Sequence, residues 1–137
     1  MGRFVVGVLV FVLAGCAGAP SEAAPKTSVA PTTAPNPTLV GHRWWVVGTR
    51  TGGVRAWVRF HDRSVVASAG CNTLVADVRY EASALRFSNV RIPAPIPCPS
   101  DSSAALQSIA KAFDGRTVYT LSWPTLRIDH SLVLTGR

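Results

Sequence analysis

From Val54 onward the chain alternates one for one. Val54, Ala56, Val58 and Phe60 fall on one register, and Arg55, Trp57, Arg59 and His61 on the other. Successive side chains of a strand point to opposite faces, whereas a helix repeats its face about every 3.6 residues. This run therefore reads as a half-buried strand. The same period returns at Ala76, Val78 and Tyr80 against Asp77 and Arg79, at Leu85 and Phe87 around Arg86, and at Leu126 and Ile128 around Arg127, with Leu132 and Leu134 continuing the last strand. Turn chemistry separates the runs at Thr51-Gly52-Gly53, His61-Asp62-Arg63, Glu81-Ala82-Ser83 and Asp129-His130-Ser131. One stretch changes period: Leu106, Ile109, Ala110 and Phe113 have helical spacing. Ser100 or Asp101 offers a cap and Gly115 follows the end, which predicts one helix at about 101–113. Seven or eight short strands with one helix predict a mainly β (α+β) domain, an antiparallel barrel-like sheet closed or capped at one end.

The first residues set an address. Met1-Gly2-Arg3 is a short basic opening, and Phe4 to Leu13 is apolar. A membrane-spanning helix needs roughly twenty apolar residues, so this run is too short to span and fits a signal peptide. Its end, Leu13-Ala14-Gly15-Cys16, resembles a bacterial lipobox, in which the cysteine thiol receives a diacylglyceryl group. Two acyl chains hold a protein at a bilayer where one is marginal. The plainer alternative is an ordinary secretory signal cleaved near Ala17 or Ala19. The expected organisation is a lipoprotein signal peptide at 1–15, lipidated Cys16 with a Pro/Ala/Thr-rich linker at 16–38, and one domain at 39–137. Prolines at 20, 25, 31, 35 and 37 bias that linker toward extended backbone. The expected location is the cell membrane, lipid-anchored and facing the extracytoplasmic side.

Two cysteines remain, Cys71 and Cys98. An exported compartment lets disulfides persist, and with Cys16 acylated the remainder is an even pair. A structural disulfide, two buried thiols and a reactive Cys71 thiol displayed in the Gly70-Cys71-Asn72 turn are the readings available. The last requires a base nearby, and no local signature links His42, His61 or His130 to Cys71.

Three blocks together resemble the META domain family, the small HslJ-like bacterial envelope proteins. The opening Leu39-Val40-Gly41-His42-Arg43-Trp44 is similar to the family's L-x-G-x-x-W, Gly70-Cys71-Asn72 to its G-C-N, and Ala94-Pro95-Ile96-Pro97-Cys98 to its second cysteine segment before the helix. The chain departs from the pattern at Ala94, Ile96 and Pro97, and at Ala76 and Val78 after G-C-N. The resemblance spans 39–137. It implies a lipocalin-like partial barrel with a helix, on exported or surface-attached proteins linked to envelope stress. It implies Gly70, Asn72 and Trp44 as structural positions beside Cys71 and Cys98, with no catalytic residue, metal or cofactor.

No standard catalytic constellation is present: there is no G-x-S-x-G, no phosphate-binding loop and no H-E-x-x-H. His61-Asp62 reads as a turn, and the three histidines lack metal-ligand spacing. The net charge of +7 comes mainly from arginine. Arg55, Arg59 and Arg63 offer a basic face toward anionic phospholipid or wall polymer, against the simpler alternative of a solvated strand face. Consecutive Trp44 and Trp45 must point to opposite faces, one toward the core and one outward, where a tryptophan beside arginines suits a ligand groove or a protein contact. The expectation is a non-enzymatic, membrane-anchored envelope lipoprotein, monomeric, with an envelope protein partner and no nucleic acid. The alternative is a small apolar-ligand or lipid carrier using a barrel pocket.

Overall fold

The computed structural model describes residues 34–137 apart from residue 52; Cys16, the signal segment and the linker up to residue 33 lie outside the described residues. Eight strands follow one another around a single sheet: β1 (Arg43–Thr51), β2 (Val54–Phe60), β3 (Ser64–Ser68), β4 (Thr73–Tyr80), β5 (Ala84–Arg91), β6 (Arg116–Ser122), β7 (Thr125–Ile128) and β8 (Leu132–Gly136). One helix, α1 (Ser100–Ala112), interrupts the meander between β5 and β6.

The sheet is a closed barrel rather than a partial one. Every neighbour pairs antiparallel, and β1 also pairs with β8 through Trp44↔Gly136, Trp45↔Thr135 and Val46↔Leu134. Closure removes both sheet edges. Gly136 makes room at the seam: a Cβ there would lie 2.8 Å from the Trp123 ring and 3.3 Å from that of Trp44.

Eight strands leave an interior just wide enough for side chains. Here it is filled. Trp44, Val58, Phe60, Val65, Leu126, Ile128 and Leu134 are fully buried from the strands. The helix side adds Leu106, Ile109 and Phe113; the Phe113 ring stacks on Phe87 at 4.3 Å and lies 6.5 Å from Phe60.

Helix α1 begins one residue earlier than expected, and neither Ser100 nor Asp101 caps it. Pro99 is the N-cap, with φ −53° and ψ 147°, and makes no side-chain cap bond. Proline fixes the extended entry by its ring, so Ser100 and Asp101 already belong to the first turn. There the Asp101 carboxylate accepts from Ser102 N at 2.8 Å and complements the helix dipole. Among the described residues no helix is long and apolar enough to cross a membrane.

The up-and-down order gives the barrel two unlike rims. At the amino-terminal rim the chain enters at Leu39, and the turns are short: His61–Arg63, Glu81–Ser83 and Trp123-Pro124, whose peptide bond is cis. The helix rim carries the β1–β2, β3–β4 and β7–β8 turns and the long 92–115 connection with α1, which packs on β1, β3 and β8.

Candidate binding surface

The first two strands place their polar register outward. Arg43, Trp45 and Val47 from β1 stand beside Arg55, Trp57 and Arg59 from β2, with Trp45 directly opposite Trp57 and Arg43 opposite Arg59. The Arg43 guanidinium carbon lies 4.8 Å from the Trp57 ring centre and 5.6 Å from that of Trp45, while Arg55 lies 5.4 Å from Trp45. Each such contact is worth about 0.5–1 kcal/mol at an exposed site. The contacts place two guanidinium groups around a two-ring platform.

Within β1 and β2 themselves no acid offsets this charge. The sequence has neither Asp nor Glu from Ala23 to His61. Among the described residues the ion pairs are those of Glu81 with Arg116 at 2.7 Å and with Arg86 at 3.4 Å, at the β4–β5 turn and β6. Arg116, chiefly by its hydrogen bond, holds the Glu81 carboxyl below the ordinary carboxylate range, with Arg86 adding to the effect. Arg43, Arg55 and Arg59 have no such carboxylate among the described residues. Arg59 Nη2 donates to the Gly41 carbonyl, at 3.4 Å.

The basic face expected from Arg55, Arg59 and Arg63 is corrected in one member. Strand β2 ends at Phe60, and the following turn carries Arg63 to a separate, open groove of about 940 Å³ lined by Asp62, Asp77, Arg79 and Tyr80. Its two carboxylates offset the arginines there. Arg43 takes its place on the face.

The Gly-Cys-Asn block forms one fastening. Gly70 has φ +93°, and a Cβ would sit 3.2 Å from Val54 Cβ, so the position suits glycine on both counts. Cys71 is bonded to Cys98 with their Cα atoms 5.9 Å apart. Asn72 Nδ2 donates to the Ile96 carbonyl at 2.9 Å, and Asn72 Oδ1 accepts from Ile96 N at 3.0 Å. The side-chain amide thus pairs with the 92–99 segment as a strand backbone would. Ser68 Oγ accepts from Gly70 N and donates to the Asn72 carbonyl, setting the turn itself.

The remaining positions are dispersed. Trp44 is buried and its Nε1 donates to the Leu39 carbonyl at 3.0 Å. His42 meets the Trp123 ring edge-on at 5.5 Å, His61 is an exposed turn residue, and His130 lies in the β7–β8 turn. No three His, Cys, Asp or Glu residues among those described could share a metal ion. Burial, followed by Asp62 and Tyr119, pushes the Tyr80 phenol well above its ordinary range, and its hydroxyl donates to the His61 carbonyl.

Arg43 and Val47 were not apparent from the sequence because β1 is apolar on both faces. Trp44-Trp45-Val46-Val47 hides the alternation that reading from Arg43 in steps of two, against β2, brings out. No family model, curated protein or solved structure matches the chain.

Proposed function

We propose that the chain is a non-enzymatic, membrane-anchored envelope lipoprotein of the META domain (HslJ-like) kind, whose domain works by binding at the envelope. The observation that carries binding over catalysis is the Arg43–Trp45–Trp57–Arg55 cluster. It lies on the convex outside of a filled barrel, where a large partner can rest but a small substrate cannot be enclosed. The family reading draws support from the antiparallel barrel with one helix, closed where the family implies a partial one, and from Gly70, Cys71, Asn72 and Cys98 acting as a single fastening. The address rests on the Leu13–Cys16 sequence, and a disulfide in the domain agrees with an oxidising compartment.

A carrier role has one observation in its favour, an apolar groove between α1 and the 92–98 segment lined by Leu74, Ile92, Cys98 and Leu106. At about 160 Å³ it falls below the roughly 300–1,000 Å³ of small-molecule sites, so binding of a larger partner is the better-supported reading. Growth with a clickable fatty acid tests the anchor. Wild-type protein is expected to take the label and Cys16→Ala protein to lose it; unlabelled wild-type protein would remove the lipoprotein reading.

A further inference from the structure

We propose that the outward face of the β1–β2 hairpin lies against an anionic phospholipid surface. Arg43 and Arg55 meet the phosphates, and Trp45, Trp57 and Val47 sit at the boundary between headgroups and acyl chains. The lipoprotein reading supplies the encounter with a membrane; the chemistry of the face stands without it.

Three observations favour a lipid surface over an acidic protein. The first is the combination of groups. Two tryptophans, each with an apolar body and one N–H, lie among arginines, with Val47 52% exposed on the same side of β1. Tryptophan is enriched at membrane–water interfaces, and basic residues are attracted to anionic headgroups. A protein partner accounts for the arginines but needs matching pockets for the rings. The second is shape. Arg43, Trp45, Trp57 and Arg55 line neither of the two grooves described above. They stand on a convex wall, which a fluid layer accommodates readily. The third is reach. The roughly eighteen residues from Cys16 to Ala34 would span about 55 Å if extended at about 3.1 Å per residue. A domain of this size has a radius of gyration of about 13 Å. An anchored molecule can therefore lay this face on its own membrane, and tethering lets a weak contact suffice.

The test uses the chain from residue 16 onward with Cys16→Ala, which carries no acyl group, and vesicles of mixed phosphatidylglycerol and phosphatidylcholine or of phosphatidylcholine alone. Co-sedimentation is expected with the mixed vesicles, weakening as salt screens the charges, and little is expected with the neutral ones. Adding Arg43→Gln and Arg55→Gln is expected to weaken binding about tenfold or more. The pair Arg91→Gln and Arg127→Gln removes the same charge elsewhere and is expected to change binding far less. Brominated lipid is expected to quench tryptophan fluorescence in the chain with both rings and much less in Trp45→Phe/Trp57→Phe, which keeps Trp44 and Trp123. That readout does not depend on the arginine variants folding. Equal binding to neutral vesicles, equal loss in both arginine pairs, or quenching unchanged in the Phe variant would overturn the proposal. So would binding to soluble polyphosphate without binding to vesicles, which would assign the face to a wall-type polyanion. None of these outcomes bears on whether Cys16 is labelled in cells, so the two readings fail separately.

Discussion

The two rims of the barrel are closed by different means. At the amino-terminal rim the turns between strands are too short to supply a lid, so side chains do the closing. Leu39 is fully buried, Trp44 donates to its carbonyl, and Trp123 lies over the bare backbone of Gly136. At the helix rim one long connection spans 92–115, and the helix within it covers the opening. Loop-closure entropy rises with length, so a lid on a long connection needs fastening in a way that a set of tight turns does not. The Cys71–Cys98 bond and the Asn72 amide provide that fastening. One rim depends on packing and the other on ties.

The strongest way to break this contrast is Trp44→Ala. The ring is fully buried and its N–H satisfies the Leu39 carbonyl. Truncation is expected to cost about 3–5 kcal/mol, as other buried aromatic truncations do. Domains of this size have only about 5–15 kcal/mol in all, so urea unfolding should show a much lower midpoint. Trp45→Ala is the internal comparison, one residue on and facing out. Its loss is expected to be about 1–2 kcal/mol, the scale of its two cation–π contacts with Arg43 and Arg55. Equal losses at the two positions would mean that the seam does not sort them into inside and outside.

The second test acts on the other rim. Cys71→Ser with Cys98→Ser removes a tie across a sequence separation of 27 residues. The chain-entropy relation gives about 3–4 kcal/mol for a loop of that size. The contrast predicts where the loss appears. Amide exchange should quicken in α1 and residues 92–99, while the β2–β3 and β4–β5 turns keep their protection. Uniform loosening of both rims would show that the disulfide supports the barrel as a whole and not its lid.

What the sequence disclosed follows from how local each cause is. Strands β2, β4 and β7 showed their faces because charged residues (Arg55 and Arg59, Asp77 and Arg79, Arg127) stand on their outer sides while their inner residues are apolar. Strand β1 did not, since Trp45 and Val47 are apolar and face outward, and a register shift between Trp45 and Arg50 follows. Helix α1 was visible from Leu106, Ile109 and Phe113, but its first residue depended on Pro99 rather than on a side-chain cap. Closure of the barrel was the least accessible feature. It depends on β1 meeting β8 across the whole chain, and on a glycine at 136 whose purpose appears only once Trp123 is seen above it. The arginine–tryptophan face lies between these cases. Arg55, Trp57 and Arg59 were legible within one strand, whereas Arg43 joins them only through the β1–β2 register.

The smallest expected effect belongs again to the packed rim. The Tyr80 hydroxyl joins the end of β4 to the β2–β3 turn through the His61 carbonyl. Tyr80→Phe keeps the ring and removes that bond, at an expected cost of about 0.5–1.5 kcal/mol at neutral pH. The sign of its pH dependence follows from the raised phenol pKa. An unfolded tyrosine ionises near pH 10, while the folded one keeps its proton to higher pH. The contribution is therefore complete below about pH 10 and is lost as pH rises toward the folded value. Urea midpoints of the wild type and Tyr80→Phe should differ by a constant amount from neutral pH to about pH 9, then converge in more alkaline solution. A gap that stays constant through about pH 11 would mean that Tyr80 ionises in the folded protein as readily as in the unfolded chain. The hydroxyl would then be open to water, and the amino-terminal rim would not be sealed by packing at that point.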